Sequence, residues 1–208
     1  MCPPLTKSRN PLERIQDSSY ELFSRHGVRA VGVDAIVAHA GVAKMTLYRY
    51  FPSKDELVLA FMERREQKWT QGWVQAGASQ RAATPEGRLM AIFDLFDEWF
   101  QRDDFEGCSF INLLLEIDDR QHPLHRAAAR HLSNIRAFLK ELAAEAGVGD
   151  PDGFSRRWHI LMKGSIVAAG EGDRGAARVA QDIGRQLLAA EGLTVASPTV
   201  RGRAQDKP

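Results

Sequence analysis

The spacing of apolar and polar residues predicts that almost the whole chain is helical. Apolar residues recur every three or four positions through most of residues 11–191, and no segment shows the sustained alternation typical of a half-buried β-strand. Glycine, proline and helix-capping residues divide this pattern into about nine segments. The sequence therefore predicts an all-α fold of about nine helices.

The stretch VDAIVAHAGVAKMTLYRY, residues 33–50, organises the rest of the chain. Its apolar positions predict one short helix that stops at Gly41, which can take the positive φ of a tight turn, and a second that starts near Ala43. Leu47 would face the first helix. The outward positions of the second helix are predicted to be Lys44, Met45, Thr46, Tyr48 and Arg49. This layout is typical of a helix-turn-helix, whose second helix enters the major groove of DNA.

Capping signals on both sides support this interpretation. A first amphipathic helix is expected to start where Asn10 caps Pro11 and to stop at Gly27. A longer fourth helix is expected to follow, because Ser53 is a favourable N-cap and Glu56, three residues on, completes a capping box. Three helices therefore fill residues 11–50.

Six further helices are predicted after the helix-turn-helix. They span residues 53–77, 85–102, 108–118, 124–146, 152–170 and 172–191, with a loop of small and polar residues over 76–85. The last two helices carry apolar stripes and small residues, which either complete the core of one chain or pair with the same helices of a second chain. The polar, proline-containing residues 194–208 are expected to form a disordered tail.

Six side chains on and beside the second short helix are candidate DNA contacts. They are Lys44, Met45, Thr46, Tyr48, Arg49 and Lys54. Lys44 and Met45 are candidates for base edges, because the N-terminal residues of a recognition helix reach deepest into the groove. Lys54 and the free N–H groups at the start of its helix are suited to one phosphate. The alternative is an ordinary solvated helix face.

The charge distribution agrees with phosphate binding at one end of the chain. The 208 residues carry a formal net charge of only +1. Residues 1–54 hold eight Lys or Arg against four Asp or Glu, a net charge of +4, which leaves −3 for the remaining residues. A basic N-terminal part on an acidic body is typical of a protein that binds nucleic acid through one region.

Several other classes of protein find no support in the sequence. No nucleophile elbow, P-loop or dinucleotide-binding motif is present, so neither an enzyme nor a cofactor is predicted. No apolar run approaches the roughly 20 residues of a membrane helix, and the N-terminus lacks the apolar core of a signal peptide. We therefore expect a cytoplasmic protein that does not bind a membrane.

No metal site is predicted either. Two cysteines, Cys2 and Cys108, make neither a disulfide framework nor a zinc site. A cluster of acidic and histidine residues near one helix junction lacks a metal-binding spacing. Its members are Asp118, Asp119, His122 and His125.

The segments ELFSRHG and VDAIVAHAGVAKMTLYRYFPSKDEL closely resemble the TetR (TetR/AcrR-like) family of bacterial transcription regulators. The likeness covers about the first 50–60 residues in one register without a gap. Gly32 and Ala43 stand where the family usually has capping residues, which weakens each helix cap by about 0.5–1 kcal/mol. Met45 replaces a common glycine on the DNA-facing surface, so the operator preference cannot be transferred from a relative.

The resemblance implies a sequence-specific regulator built from two domains. A DNA-binding domain is expected at residues 1–52 and a helical domain for effector binding and dimerisation at residues 53–193. The homodimer would pair through residues 152–170 and 172–191. The expected partner is double-stranded DNA with a palindromic operator. The protein is expected to be a repressor that leaves this operator when it binds a small-molecule ligand. Activation of transcription is the alternative outcome.

The resemblance also implies a ligand pocket in the second domain. The candidate lining residues are Phe96, Trp99, Cys108, Phe110, Asn112, Glu116, Trp158 and Met162. Cys108, Asn112 and Glu116 fall on one face of a short helix, where their polar stripe could line a cavity, cap a neighbouring helix or face water. Cys108 is either a redox sensor or, as is usual for a lone buried cysteine, inert.

Two other classes of function remain open on the sequence. One is an architectural protein that binds DNA with little sequence preference and without an effector, and whose binding falls steeply with salt. The other is a helical enzyme or ligand carrier in which the helix-turn-helix is incidental. Selection of bound DNA sequences separates the first from a specific regulator, and a test for turnover identifies the second.

Overall fold

The computed structural model describes residues 10–194, and within that range it contains nine helices and no strand. The all-α prediction is confirmed. The helices are α1 (Pro11–His26), α2 (Val33–Ala40), α3 (Lys44–Tyr50), α4 (Lys54–Arg65, continued by Glu66–Gln75 and Ala76–Arg81), α5 (Pro85–Phe100), α6 (Ser109–Glu116), α7 (Pro123–Glu145), α8 (Pro151–Gly170) and α9 (Ala176–Ala190). The tail expected at residues 194–208 lies outside the described residues except for Thr194.

Local capping residues set the limits of α1 as the sequence predicts. The Asn10 side chain accepts a hydrogen bond of 3.0 Å from the backbone N–H of Leu12, and Pro11 occupies the first helical position, where no donor is lost. Gly27 ends the helix with a φ of +78°. The buried face of α1, which includes Ile15 and Phe23, packs against α2 and α4.

The turn between α2 and α3 also forms as predicted. Gly41 takes a left-handed conformation with a φ of +62°, which a residue with a Cβ adopts only at a cost. Leu47 of α3 is completely buried and joins the core shared by α1 and α2. Gly32 and Ala43 make no side-chain hydrogen bond at the starts of α2 and α3, so both helices depend on tertiary packing.

The fourth helix is longer than predicted, and the loop expected over residues 76–85 is wrong. The helix continues through Ala76–Arg81, so that only residues 82–84 connect it to α5. Ala78 is fully buried, and a Cβ added at Gly77 would lie 3.0 Å from Leu95 Cδ2. These small residues therefore let α4 approach α5 closely; they do not mark a loop. Thr84 then caps α5 by accepting from the backbone N–H of Gly87.

The middle of α4, Glu66–Gln75, forms a π-helix, in which each turn holds more residues than an α-helical turn. Glu66 at its start bonds to α7 with both carboxylate oxygens. His131 Nδ1 donates to one oxygen at 2.5 Å, and Asn134 Nδ2 donates to the other at 2.7 Å. The sequence gives no local signal for these long-range bonds. Segments of π-helix are frequently found at functional sites.

Helices α5, α7, α8 and α9 enclose a second, larger part of the core. Helix α9 lies on α8 and α5, and its close approach requires Gly184, where an added Cβ would lie 2.8 Å from the buried ring of Trp158. The helix begins at Ala176, later than the predicted residue 172. Gly172 has a φ of +107°, and Arg174 exchanges two hydrogen bonds with Gln101, which together hold this part of the chain in a turn.

The stability of the protein is expected to fall as the pH decreases from 6.5 to 4, because of His159 in α8. Burial, with help from Lys163 and Arg136, lowers the pKa of His159 from 6.5 to about 4. Below pH 6.5 the unfolded chain therefore binds a proton that the folded chain refuses, and the folded state loses roughly 3 kcal/mol by pH 4.

Urea denaturation at fixed protein concentration between pH 4 and 7.5 measures this dependence. His159→Gln should remove most of it, whereas His26→Gln, an exposed substitution in the last turn of α1, should leave it unchanged. Equal pH profiles for the wild-type protein and His159→Gln would contradict the assignment.

Candidate nucleic-acid interface

Helix α3 presents one face to solvent, and its opposite face is packed against the protein. Leu47 and the chain after the helix, at Phe51, are buried, and α3 packs against α1 and α2. The five side chains predicted to point outward do so to different extents. Met45 is the most exposed at 78%, Lys44, Tyr48 and Arg49 are also exposed, and Thr46 is half-buried.

The lysine at the start of α3 forms an ion pair with a carboxylate of α2. Lys44 Nζ lies 2.7 Å from Asp34 Oδ1 in the first turn of α2, and the hydrogen bond to this carboxylate raises the pKa of Lys44. Arg49 lies over the ring of Tyr50, with its guanidinium carbon 5.2 Å from the ring centroid. Sequence analysis missed Asp34, because the pair joins two helices across the turn. A DNA phosphate or base must compete with that carboxylate for Lys44.

The start of α4 offers a second point of contact. Ser53 caps this helix by accepting a hydrogen bond of 3.1 Å from the backbone N–H of Glu56. Lys54, the first helical residue, is half-buried beside the remaining free N–H groups of the first turn. A helix N-terminus with an adjacent cation has the chemistry needed to bind one phosphate.

Helices α1 and α4 are joined by a set of polar and aromatic contacts. Arg64 forms an ion pair with Asp17, and Arg65 Nη1 donates to the hydroxyls of Tyr20 and Ser24, both at 3.3 Å. The Phe61 ring packs edge-on against Tyr20. These contacts tie the helix-turn-helix to the first part of α4, so the orientation of α3 follows the orientation of that helix.

The eight candidate ligand residues do not form one cluster. Phe96 and Trp99 lie in a group of aromatic rings with Trp69 of the π-helix, at centroid distances of 6.1 and 5.3 Å. Phe110 stacks on His131 with the ring centroids 5.0 Å apart. Trp158 and Met162 are buried in α8, where Trp158 stacks on Phe154 and lies beside Phe93.

The polar stripe predicted on α6 divides among three environments. Cys108, just before the helix, is buried, and burial raises the pKa of its thiol, which keeps the sulfur in its weakly reactive protonated form. Asn112 is exposed, and its amide donates to the backbone carbonyl of Glu106 at 3.4 Å. The Glu116 carboxylate lies against Gly27, 3.3 Å from the place where a Cβ would be.

Two surface depressions are lined by residues other than these eight. The first, of about 630 Å³, lies between α1, the end of α3 and α4, and is lined by groups such as Gln16, Tyr50 and Glu63. The second, of about 470 Å³, lies between α6 and α8 and is mostly apolar, with Ile111, Ile160 and Val167 in its walls.

The acidic and histidine residues near the start of α7 make separate contacts. His122 caps α7 and lies 3.6 Å from Asp55, whereas the His125 ring nitrogen lies 2.8 Å from the carbonyl oxygen of Ile117. Among residues 10–194 no three His, Cys, Asp or Glu side chains converge as a metal site would require. In the same range no helix combines the length and apolar character needed to cross a membrane.

Family models match both parts of the chain. Residues 15–61 match the model described as "Bacterial regulatory proteins, tetR family". The match begins within α1 and ends within the first part of α4. Residues 85–171 match the model described as "Tetracyclin repressor-like, C-terminal domain", which spans α5 to α8.

Individual relatives carry related descriptions. The HTH-type transcriptional repressor KstR of Rhodococcus jostii is 33% identical over 146 residues, which cover 66% of this chain and 67% of that protein. The HTH-type transcriptional activator FasR of Mycolicibacterium smegmatis is 35% identical over 83 residues, which cover 40% of this chain and 37% of that protein. The crystal structure of a TetR-family regulator from Streptomyces coelicolor superimposes with a TM-score of 0.79 at 27% identity, covering 86% of this chain and 89% of that one.

Proposed function

The chain belongs to the TetR family of DNA-binding transcription regulators, and from this membership we propose that it is a repressor that binds a palindromic operator as a homodimer. The exposed face of α3 carries the proposal. It presents Met45, Tyr48 and Arg49 on a helix whose inner side is fixed by the buried Leu47. A rigid helix with an adaptable outer face is what sequence-specific contact in a major groove requires.

Each candidate side chain has a chemistry suited to one part of the DNA. We propose that Lys44 and Met45 contact base edges, that the Thr46 and Tyr48 hydroxyls bind phosphate oxygens, and that Lys54 binds a phosphate at the start of α4. Arg49 would bind a phosphate or a guanine. Phosphate contacts set the position of the protein on the duplex, whereas base contacts select the sequence.

The division of labour within the chain follows from this assignment. We propose that residues 1–52 form the DNA-binding domain and residues 53–193 the effector and dimerisation domain, with the protein acting in the cytoplasm, where bacterial DNA lies. The dimer would pair through α8 and α9. The exposed apolar residues Ile160, Val167, Val179 and Ile183 on these two helices support this proposal, because a second copy would cover them.

Repression is the outcome supported by the relative that aligns over more of its own length. That relative is described as a repressor and aligns along two thirds of its own length, whereas the relative described as an activator aligns over 37%. A protein that occupies a promoter without recruiting polymerase represses by exclusion. An assay of transcription with and without the protein distinguishes the two signs.

We propose that a small-molecule effector binds near the π-helix of α4. Three buried polar atoms there have no hydrogen-bond partner among the described residues: Trp69 Nε1, Thr70 Oγ1 and His131 Nε2. Each unsatisfied buried group costs roughly 1–3 kcal/mol, which a ligand supplying the missing partner would recover. Of the eight candidate ligand residues, Phe96 and Trp99 contact the ring of Trp69, and Phe110 stacks on the ring of His131.

An effector at this position would act on DNA binding by linkage. The π-helix follows Lys54–Arg65 without a break, and Lys54–Arg65 is joined to α1 by the Arg64–Asp17 ion pair. The dimer would have one arrangement in which the two α3 helices fit successive major grooves and one in which they do not. A ligand that binds the second arrangement more tightly weakens operator binding, at most by the ratio of its affinities for the two arrangements. DNA weakens binding of the ligand by the same factor.

Selection of bound sequences from a random duplex pool at near-physiological salt tests the proposed function. We expect an enriched palindrome, and Tyr48→Ala should weaken its binding by about 10- to 150-fold, which corresponds to ~1.5–3 kcal/mol for one hydrogen bond to a charged phosphate. Lys140→Ala, an exposed substitution on α7, should bind as the wild-type protein does. Binding that disappears as salt rises, without any enriched sequence, would instead identify an architectural DNA-binding protein.

A further inference from the structure

We propose that the surface between two copies of this chain extends beyond α8 and α9 onto the short helix α6, where Ile111 and Leu115 are buried by the second copy. The inference rests on the proposed homodimer and names a contact that the last two helices do not contain. It assigns α6 to the interface between copies as well as to the body of one chain.

The exposed apolar side chains of the body are concentrated on three helices. Outside α3, the described residues contain five large hydrophobic side chains that are strongly exposed. They are Leu115 on α6, Ile160 and Val167 on α8, and Val179 and Ile183 on α9. Leu115 is the most exposed of the five at 73%. Single exposed apolar residues are ordinary, but a set confined to neighbouring helices marks a surface that another protein covers.

A groove joins α6 to this surface. Ile111 of α6 and Ile160, Gly164 and Val167 of α8 line the same depression of about 470 Å³. Ile111 and Leu115 are four residues apart, and they therefore lie on the same side of α6. A Cβ added at Gly164 would meet no atom within 4 Å, so the floor of the groove has room for a side chain from outside.

The charges at the groove fit a second copy of the same chain. Lys163 and Glu171 line the groove at positions eight residues apart, about 12 Å along α8, with Val167 midway between them. No ion pair links either of them to another residue within 10–194. A two-fold axis near Val167 places Lys163 of each copy opposite Glu171 of the other, so the groove is complementary to itself.

Pairing through α6 would also connect the second copy to the helix-turn-helix. Glu116, which follows Leu115, is the last residue of α6, and its carboxylate lies against Gly27 at the end of α1. On its inner side Phe110 stacks on His131, which bonds to Glu66 of α4. Contacts from the partner on α6 would therefore limit the movement of α1 and α4. Because these helices hold the helix-turn-helix, the contacts would also limit the distance between the two α3 helices of the dimer.

The dissociation constant of the full-length dimer, measured by sedimentation equilibrium, tests the inference. Leu115→Glu should raise it at least tenfold, because the substitution places a charge in an apolar contact. Leu115 is exposed in one chain, so the substitution leaves the fold of the monomer intact, as circular dichroism will verify. Ala137→Glu adds the same charge to an exposed position of α7 and should not alter the constant.

Reference variants distinguish this inference from the proposed dimer itself. Val167→Glu should also dissociate the dimer. If Val167→Glu dissociates it while Leu115→Glu behaves like Ala137→Glu, the pairing through α8 stands and the extension onto α6 is overturned. A wild-type protein that stays monomeric at high concentration overturns both.

A charge exchange provides an independent test of the two-fold arrangement. Lys163→Glu and Glu171→Lys should each raise the dissociation constant, because each places like charges opposite one another across the axis. The double variant Lys163→Glu with Glu171→Lys restores the opposite charges and should recover most of the affinity. Failure of the double variant to recover would overturn the proposed register of α8 against its partner.

Discussion

Trp158→Ala is expected to lower the free energy of unfolding by about 3–5 kcal/mol, the cost typical of removing a buried aromatic side chain. Trp158 is fully buried between Phe93, Phe154 and the backbone of α9 at Gly184. The indole N–H has no hydrogen-bond partner among the described residues, so the loss comes from packing and from the cavity that remains. Urea denaturation followed by circular dichroism measures it.

Trp73→Ala serves as the matched control, because this tryptophan lies on α4 and is only partly buried. Its removal should cost clearly less than removal of Trp158. Equal losses in the free energy of unfolding for the two substitutions would contradict the proposal that Trp158 stabilises the packing of α9 on α5 and α8. Trp158→Phe should recover part of the loss, since a smaller ring still fills most of the space beneath Gly184.

Leu47→Ala is expected to weaken binding to every DNA sequence by at least tenfold. The fully buried Leu47 fixes α3 against α1 and α2, and truncation of a buried leucine costs about 2–5 kcal/mol. The two short helices lack side-chain caps and depend on this packing, so they should unfold locally while the body remains folded. Amide hydrogen exchange over residues 33–50, measured beside DNA affinity, detects such local unfolding.

Met45→Ala, two residues away, should have the opposite profile. Met45 is 78% exposed, so its truncation should change the free energy of unfolding by no more than about 0.5 kcal/mol. The preferred DNA sequence should change instead, because we propose that this side chain, at the N-terminal end of α3, contacts base edges in the groove. Full DNA affinity in Leu47→Ala would contradict the assigned role of the buried residue.

The N-terminal helices could be predicted from sequence because short-range signals set their ends. Asn10, Pro11, Gly27, Gly41 and Ser53 all occupy the capping or turn positions expected of them. Each of these residues acts on backbone groups within a few positions along the chain, so the sequence pattern contains the whole interaction.

The rest of the chain was harder to predict because its determinants are far apart in sequence. Small residues around Gly77 indicated a loop, yet they serve the contact with Leu95 that keeps α4 helical to Arg81. The Lys44–Asp34 and His131–Glu66 pairs likewise join separate helices. Composition alone cannot distinguish a small residue in a loop from one that permits close packing.

The candidate site shows the same division. The outward positions of α3 follow from helical periodicity once Leu47 is recognised as buried. The eight candidate ligand residues follow no such local rule, and they lie in several environments, from the exposed Asn112 to the core position of Trp158. Their roles depend on which helices meet, which a single sequence does not reveal.

The ion pair between Lys44 and Asp34 bears on how the protein searches a chromosome. A lysine that is held by a carboxylate binds DNA only after it leaves that carboxylate, so the pair with Asp34 opposes any weak contact that Lys44 would make with unrelated DNA. If Lys44 contacts a base edge of the operator as proposed, a specific contact replaces the ion pair only at the operator, so the pair disfavours attachment to the many competing sequences and shortens the time lost on them.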